Sequence, residues 1–551
     1  MKRQVLFLLS AFLFLASCTI AQPLNRKNNF THQDTLRGSN GIERAWWDVL
    51  HYEVNVTPDY SSKTITGKTT IQYKILAGQR SDYLQIDLQK PLMVDSIFYD
   101  NHLYINYPAK PYYNEGNVWH IPLPRSTVNS EHSISIVYHG QPREAIRPPW
   151  DGGWIFAKDA QERQWMTVAC QGLGASVWYP CKDYQGDEPD NGATLTINVA
   201  NDLIAVGNGR LMSKTEEPNS KLTSYTWEVK SPINNYTIIP YIGHYANWKD
   251  TLQGEKGKLD LNYWVLDYDL SKAKKQFEQV KLMLRAFEYW FGPYPFYEDG
   301  YQLIEAPHLG MEHQSAIAYG NHFLNGYLGD DLSGTGWGKK WDYIIVHESG
   351  HEWFGNNITT KDIADMWVHE GFTDYSETLF TEYYYGKQAA DEYVQGLRKN
   401  IANDKPIIGP YGVNQEGSGD MYYKGANLIH TIRQVINDDE KFRQILRGLN
   451  KDFYHQTVTS KQVEDYFSQK SGKDLSKIFD QYLRTTQIPT LQLKAEGNKS
   501  WTNCIAGFNM PVKLTNGQWI NATTTEQKIK LEGSNFSNVN VDKNFYINIK
   551  R

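Results

Sequence analysis

The spacing of apolar residues changes twice along this 551-residue chain, and these changes constrain the fold more than any other feature of the sequence. Up to about residue 250 apolar and polar residues alternate, as in Ile134, Ile136 and Tyr138. Such alternation is typical of strands with one buried face. From there to about residue 486 apolar residues recur every three or four positions, which indicates helices, and afterwards the alternation returns. These patterns predict a multidomain α+β protein.

The same patterns place the domain boundaries and the longer helices. We expect an N-terminal β-saddle or β-sandwich over residues 46–250, a mainly helical domain over 251–486 and a small C-terminal β-sandwich over 487–551. The predicted helices run from Ser271 to Phe291 (before Gly292-Pro293), from Lys339 to Phe354, from Asp365 to Tyr385 and from Lys424 to Ile436.

The first residues predict an export signal. Lys2 and Arg3 precede an apolar stretch that ends at Ala16. This stretch is too short to span a bilayer comfortably, so it is typical of a secretory signal peptide and not of a transmembrane helix.

The signal ends in a sequence that resembles the bacterial lipobox, Leu15-Ala16-Ser17-Cys18. We therefore predict a signal peptide over residues 1–17, a lipid anchor on Cys18 and a polar tether over 18–45. The alternative is ordinary cleavage after Ala21. Either route predicts an exported bacterial protein, located in the periplasm or attached to the outer membrane as a lipoprotein.

Charge and cysteine content exclude several kinds of site. The formal net charge is −6 and Lys and Arg do not cluster, which argues against a nucleic-acid partner. Besides Cys18, the cysteines are Cys170, Cys181 and Cys504, none with CxxC spacing. Neither a disulfide framework nor a thiolate metal site is indicated, although a Cys170–Cys181 bridge stays open.

One pentapeptide points to metal chemistry. His347-Glu348-Ser349-Gly350-His351 is an HExxH pattern within a predicted helix. Positions i and i+4 share one helix face, so both imidazoles can reach one ion, with Glu348 beside the water that the ion binds. Catalytic zinc usually takes three protein ligands and a water. The pattern also occurs in ordinary helices, so a third ligand is needed to support a zinc site.

That third ligand is Glu370, nineteen positions after His351 on the next predicted helix, within Trp367-Val368-His369-Glu370-Gly371-Phe372. An HExxH pattern followed after eighteen residues by Glu in W-x-x-E-G-F resembles the gluzincin zinc aminopeptidases of the alanyl aminopeptidase and leukotriene hydrolase type.

Further motifs extend the resemblance over about residues 46–551. His351-Glu352-Trp353-Phe354-Gly355-Asn356 is similar to the family's H-x-W-F-G-N, and residues 291–295 resemble the turn before its substrate edge strand. Tyr422-Tyr423-Lys424-Gly425 is similar to the Y-x-K-G motif. Gln171 lies nine residues before Pro180, the spacing of the family's glutamine that faces the amino end of the substrate.

The resemblance implies a thermolysin-like catalytic domain and one zinc ion per chain, held by His347, His351 and Glu370. It also implies that Glu348 is the catalytic acid/base and that Tyr422 donates a hydrogen bond to the oxyanion. The expected activity is removal of the N-terminal residue from peptide substrates. Because longer members carry a helical domain that covers the site, we expect a more open cleft here, or one closed by another subunit; the oligomeric state is not predicted.

One motif departs from the family pattern. The exopeptidase signature G-x-M-E-N appears here as Leu309-Gly310-Met311-Glu312-His313. The resemblance implies that Glu312 pairs with the free α-ammonium of the substrate, assisted by the glutamine described above, and that Gly310, Met311 and His313 contact the substrate. Leu309 in place of Gly and His313 in place of Asn leave the exopeptidase specificity in doubt.

Three alternatives therefore stay open. The first is an endopeptidase or dipeptidyl-type metallopeptidase, and the second is an epoxide hydrolase-like enzyme on the same zinc site. A tyrosine five positions before Tyr422 would favour the second, but Gly417 stands there. The third is a noncatalytic scaffold, which the full set of zinc ligands disfavours.

Other polar residues near the motifs are not expected to bind the metal. His369 adjoins Glu370 but points about 100° away on a helix, so we expect it near the metal shell or at the surface. His308 and His322 are expected to be structural or exposed. Glu377, two turns after Glu370, is a weak candidate for a position behind the metal ligands.

Overall fold

A computed structural model describes residues 29–104, 111–217, 220–493, 498–524, 527–528 and 540–550. The predicted signal peptide over residues 1–17, the lipidated Cys18 and the alternative cleavage after Ala21 lie outside these ranges. Within them, no helix is long and apolar enough to cross a membrane.

The N-terminal part of the described chain consists of three β-sheets. Its strands are β1 (Trp47–Asp59), β2 (Thr64–Ile75), β3 (Tyr83–Asp87), β4 (Met93–Tyr99), β5 (His102–Leu103), β6 (Tyr113–Glu115), β7 (Val118–Pro122), β8 (Glu131–Gly140), β9 (Gly153–Lys158), β10 (Gln164–Ala169), β11 (Ala193–Ala200), β12 (Ile204–Val206), β13 (Arg210–Glu217), β14 (Leu222–Val229) and β15 (Tyr241–Gly243). The sheet orders are β13-β14-β11-β1-β2-β8-β4-β5, β12-β15-β10-β9 and β3-β7-β6. The prediction of an N-terminal β-rich part is confirmed.

The large sheet follows from the alternation in the sequence. In β1 the apolar residues Tyr52, Val54 and Val56 are buried, while the residues between them are exposed or half-buried. β1 pairs antiparallel with β2 and parallel with β11. The apolar face of each strand thereby joins one hydrophobic core.

The predicted tether is wrong over the residues that the structure describes. Helix α1 (His32–Gly38) begins at Thr31, whose side chain forms a capping box with Asp34. Arg44 is fully buried and pairs with Asp87, and its Nη1 donates to the carbonyls of Arg37 (2.8 Å) and Ser39 (3.0 Å). This segment is therefore part of the folded N-terminal domain.

A five-stranded sheet leads into the helical part. Its strands are β16 (Tyr245–Gly254), β17 (Gly257–Leu266), β18 (Tyr301–Glu305), β19 (Gly310–Met311) and β20 (Ile317–Tyr319). The order β16-β17-β18-β20-β19 places β19 at an edge. The boundary predicted at residue 250 falls inside β16. Because β16 pairs with β17, the sheet begins at Tyr245.

The helices of the described chain after β17 carry the remaining core. They are α2 (Leu270–Gln276), α3 (Glu278–Phe291), α4 (Tyr343–Gly350), α5 (Trp367–Tyr385), α6 (Lys387–Leu397), α7 (Tyr423–Ile436), α8 (Asp439–Asp452), α9 (Ser460–Ser471) and α10 (Ser476–Arg484). Buried apolar residues of these helices and of the five-stranded sheet form one hydrophobic cluster. The mainly helical character of this part is confirmed.

Two predicted helices differ from the observed ones. The helix expected from Ser271 begins at Leu270 and is interrupted at Phe277. The helix expected from Lys339 begins only after Asp342, whose carboxylate accepts from the backbone N–H groups of the first turn. It ends at Gly350, and the following residues form a wide turn in which Gly355 has a φ of 131°. That left-handed conformation suits glycine.

The last described strands pack on the helices. They are β21 (Ile358–Thr360), β22 (Gln456–Val458), β23 (Thr490–Leu493), β24 (Asn498–Thr502), β25 (Asn509–Lys513), β26 (Trp519–Thr523), β27 (Gln527–Lys528) and β28 (Asn548–Lys550). Strands β23 to β28 form a sheet of order β27-β24-β23-β28 and the pair β25-β26. Met510 and Val512 join the helical core, so this small β part is attached to the catalytic half.

Candidate metal centre and active site

Helices α4 and α5 bring the three predicted metal ligands together. The Nε2 atom of His351 lies 3.3 Å from Oε2 of Glu370, and Nε2 of His347 lies 3.8 Å from the same oxygen. All three side chains are buried. Two imidazole nitrogens and one carboxylate oxygen thus converge on one point. The i, i+4 spacing on α4 sets the two imidazoles, and the packing of α5 against α4 brings Glu370 to them.

The outward-facing nitrogens of both histidines are already occupied. Nδ1 of His347 lies 2.6 Å from Oε1 of Glu377, and Nδ1 of His351 lies 3.0 Å from the carbonyl oxygen of Phe354. Each acceptor favours a proton on Nδ1 and leaves the lone pair on Nε2 for a metal. Both histidines are therefore oriented as ligands.

The ligand set fits zinc. Although Oε2 of Glu370 is buried, it has no hydrogen-bond partner in the described structure. Burial opposes ionisation of Glu370, but His351 and His347 hold its pKa well below the usual value. One buried carboxylate oxygen and two histidine Nε2 atoms form the two-histidine, one-glutamate donor set of catalytic zinc sites.

Glu348 lies on α4 beside the ligands and against strand β19. Burial raises its pKa to about 7, while His347 and His351 act in the opposite direction. A Cβ atom added to Gly310 would lie 2.6 Å from Oε1 of Glu348, so glycine at this position leaves room for the carboxylate. A carboxyl group that can change its protonation state near neutral pH suits proton transfer.

Tyr422 precedes α7 and faces the same point. Its ring lies 6.1 Å from that of His347, centroid to centroid, and nearly parallel to it. Burial raises the pKa of its hydroxyl, and the neighbouring carboxylates Glu370, Glu416, Glu312 and Glu348 raise it further. The hydroxyl is therefore a hydrogen-bond donor in the cleft and keeps its proton.

Glu312 follows the edge strand β19 and is buried. Its Oε1 accepts hydrogen bonds from Nε2 of Gln171 at 2.6 Å and from the hydroxyl of Tyr236 at 2.8 Å. Asn356 donates to its backbone carbonyl at 2.8 Å. Two side chains therefore hold this carboxylate beside the metal ligands, and Asn356 holds the backbone that carries it.

The two unusual signature residues have different locations. Leu309, Gly310 and Met311 line the cleft that contains the metal ligands. His313 is not among the described residues that line the cleft. It is buried, with its Nδ1 2.5 Å from the hydroxyl of Tyr241. The contact of His313 with substrate that the family signature implies is therefore not supported by its position.

The structure also shows where the other histidines near the motifs, Glu377 and the cysteines lie. His369 is buried, and its Nε2 accepts from the backbone N–H of Thr360 at 2.9 Å. His308 is buried and His322 is exposed. Glu377, a weak candidate from the sequence, contacts His347 directly. A position seven residues after Glu370 returns to the same helix face. Cys170, Cys181 and Cys504 are free thiols.

The structure adds cleft residues that the motifs do not contain. Tyr236 contacts Glu312, and Trp150 and Glu416 line the cleft. Trp150 and Glu416 belong to loops, where no periodic pattern marks the direction of a side chain. No sequence signal would have found them.

Two family models match the chain. The Peptidase M1 N-terminal domain matches residues 49–237, and the Peptidase family M1 domain matches residues 275–482. Together they cover most of the N-terminal β part and most of the helical part.

Several curated relatives of the chain carry the name aminopeptidase. The chain is 22% identical to probable aminopeptidase 2 of Sulfurisphaera tokodaii, over 66% of this chain and 46% of that protein. It is 23% identical to aminopeptidase N of Lactococcus lactis subsp. lactis, over 80% of this chain and 51% of that protein. The chain thus spans about half the length of the curated relatives it matches.

Solved structures share the fold over nearly their whole length. The M1 zinc metallopeptidase from Deinococcus radiodurans matches with a TM-score of 0.69 and 18% identity, over 83% of this chain and 99% of that chain. A variant of that protein bound to the substrate Tyr-Ser-Ala matches with a TM-score of 0.65. This likeness concerns the architecture.

Proposed function

Because this chain belongs to peptidase family M1, we propose that it is a zinc-dependent aminopeptidase that hydrolyses the N-terminal peptide bond of peptides. The ligands would be His347, His351 and Glu370, with one zinc ion per chain. A zinc ion held there supplies a Lewis acid and lowers the pKa of water.

The observation that carries the aminopeptidase proposal is the fixed carboxylate of Glu312. A charged group at the edge strand, beside the metal ligands, can receive an α-ammonium only if the substrate ends there. Gln171 and Tyr236 hold Oε1 of Glu312 in place without neutralising its charge. A substrate anchored in this way presents its first peptide bond to the metal site, which favours exopeptidase over endopeptidase cleavage.

The remaining residues of the site would transfer protons and stabilise the charge that develops on the substrate. Glu348 would accept a proton from the attacking water and pass it to the leaving amine. The hydroxyl of Tyr422 would donate a hydrogen bond to the oxyanion of the tetrahedral intermediate. Glu377 and the carbonyl of Phe354 keep the two histidines in the tautomer that binds metal.

A pair of otherwise identical peptides tests the proposal. One has a free N-terminus and the other is acetylated, and release of the first residue is followed by mass spectrometry. An aminopeptidase cleaves only the free peptide, whereas an endopeptidase cleaves both. A chelator should abolish the cleavage, and added zinc should restore it. Cleavage of the acetylated peptide, or cleavage insensitive to the chelator, would contradict the proposal.

Export remains a prediction from the first residues of the sequence, as does the lipid anchor at Cys18. Growth of bacteria that produce the protein with radiolabelled palmitate, which the cells build into the donor phospholipid, tests the anchor, with Cys18→Ser as the matched control. Label on the unaltered protein and none on the variant is the expected result.

A further inference from the structure

The cleft that holds the metal ligands has an excess of acidic groups. Its lining includes four carboxylates, at Glu312, Glu348, Glu370 and Glu416, and the described residues that line it include no Lys or Arg. Glu370 is assigned to zinc, Glu348 to proton transfer and Glu312 to the α-ammonium. Glu416 is left without a role in this assignment.

Glu416 has no fixed side-chain partner among the described residues. No hydrogen bond or ion pair joins its carboxylate to another side chain in the described residues, and it is half-buried. Burial and the charge of Glu370 raise its pKa to about 7, against the opposing effect of Lys405. Lys405 is not among the described residues that line the cleft, so a cation arriving through the cleft would be the direct counter-charge.

The backbone that carries Glu416 is rigidly placed. A Cβ atom at Gly417 would lie 1.6 Å from the carbonyl oxygen of Ile407, and one at Gly409 would lie 2.8 Å from the backbone nitrogen of Gly417. Residues 407–409 therefore pack backbone to backbone against residues 415–417. Such packing fixes the backbone from which the side chain of Glu416 reaches the cleft wall.

The position of this loop indicates which part of a substrate Glu416 meets. The Nδ2 atom of Asn414 donates to the carbonyl of Gly172 at 3.0 Å, and Gly172 follows Gln171, which holds Glu312. The loop with Glu416 thus packs on the side of the cleft that anchors the amino end. The side chain of the first substrate residue is the group nearest to that anchor.

The rest of the cleft suits a long aliphatic cation. Met311, Met421 and Trp150 line it together with Glu416. Lysine and arginine side chains bury their methylene stems against apolar surface and keep the charge at the tip. Trp150 can also attract a cation through its ring face.

Building on the proposed aminopeptidase function, we propose that Glu416 binds the cationic side chain of the substrate's first residue, so that the enzyme prefers peptides that begin with Lys or Arg.

The test compares two substrates that differ in charge and hardly in length. They are lysyl- and norleucyl-coumarin amides, and the measured quantity is the ratio of their kcat/KM values. In the unaltered zinc enzyme this ratio should exceed about tenfold, since a charge-assisted contact in a partly buried site has that order of effect. Norleucyl cleaved as well as lysyl, or better, would overturn the proposal without the use of any variant.

Two variants test whether the preference for lysine depends on Glu416. Glu416→Gln keeps the size of the side chain and removes its charge, so the Lys/norleucine ratio should fall by about tenfold. Lys405→Met removes the nearby competing cation, and the ratio should stay equal or rise. A ratio in Glu416→Gln within twofold of the unaltered enzyme would contradict the assignment to this residue.

A third experiment distinguishes a contact of Glu416 with the first substrate residue from a contact with the second. The peptides Lys-Ala-Ala and Ala-Lys-Ala are compared in the unaltered enzyme and in Glu416→Gln, and loss confined to Lys-Ala-Ala is expected. Loss confined to Ala-Lys-Ala would overturn the proposal, because Glu416 would then face the second residue. Failure to cleave any free N-terminal substrate would overturn the aminopeptidase function itself, whereas cleavage without a preference for Lys would overturn only the specificity.

Discussion

The Nδ1 atom of His347 lies 2.6 Å from Oε1 of Glu377, and both side chains are buried between α4 and α5. The hydroxyl of Tyr393 donates to the other oxygen of Glu377, also at 2.6 Å. The carboxylate therefore has a fixed orientation before any metal binds. A negative charge behind a ligating imidazole raises the basicity of the imidazole and fixes its ring.

We expect Glu377→Gln to weaken zinc binding by about 10-fold to 100-fold, the usual effect of such partners. The amide oxygen of Gln can still accept from Nδ1 of His347, but the charge is lost. Competition with a fluorescent zinc chelator measures the affinity directly. The matched control is Glu382→Gln on the same helix, which removes a carboxylate paired with Arg433 and leaves the histidine untouched. Equal zinc affinity in the two variants would refute the role of Glu377.

Replacing the proposed acid/base separates metal binding from turnover. Glu348→Gln should keep about one zinc per chain and lose about 10²-fold to 10⁴-fold in kcat, the contribution of a positioned acid or base. Metal analysis by mass spectrometry and steady-state kinetics give the two quantities. Glu370→Gln is the contrasting variant, because it should lose zinc as well. If Glu348→Gln retained near-normal turnover, the proton-transfer role would be wrong.

The Tyr422 hydroxyl offers a second kinetic test. Tyr422→Phe should lower kcat by about 10²-fold with little change in KM, because the oxyanion exists only after the water has attacked. Tyr423→Phe is the matched control, since Tyr423 is not among the described residues that line the cleft. A rise in KM with unchanged kcat would assign Tyr422 to substrate binding and not to the transition state.

The ligand motif and the periodicity of the chain were sufficient to predict a large part of this site. His347 and His351 are related by helical spacing on one helix. Glu370 lies on the next helix, so its convergence with them also needs the two helices to pack together. Glu377 obeys the same rule at seven positions from Glu370, but many helical residues do so, and only the packed structure selects the one that meets a histidine.

No regular spacing in the sequence identifies Tyr236 or Glu416 as residues of the site. Tyr236 lies 76 residues before Glu312, and their contact depends on how the N-terminal β part packs on the edge strand. Glu416 lies in a loop whose path is set by backbone contacts between Gly409 and Gly417. Long-range packing and irregular backbone leave no periodic trace in a sequence, which is why these residues emerged only from the structure.

The tether prediction failed for a similar reason. The polar composition of residues 29–45 suggests a solvated segment. The capping box at Thr31 and Asp34 is a local helix signal that depends on the order of the residues and not on their composition. The deciding contact is Arg44 with Asp87, two residues far apart in sequence.

That contact predicts a large loss of stability in Arg44→Met. Without Arg44, the buried carboxylate of Asp87 keeps neutral donors alone among the described residues, the backbone N–H of Asp183 and the side chain of Gln85. Breaking a buried pair on one side costs about 3–5 kcal/mol, and the carbonyls of Arg37 and Ser39 lose a donor as well. The midpoint of urea unfolding of the full chain, followed by tryptophan fluorescence, should fall clearly.

An exposed arginine provides the comparison for this last prediction. The side chain of Arg125 is 88% exposed and lies 3.7 Å from Asp82. Arg125→Met should change the unfolding free energy by less than about 1 kcal/mol, because a solvated pair gains little. If Arg44→Met and Arg125→Met shifted the midpoint equally, residues 29–45 would not be held to the N-terminal domain through Arg44. A large shift in Arg44→Met alone would establish this segment as a structural part of that domain.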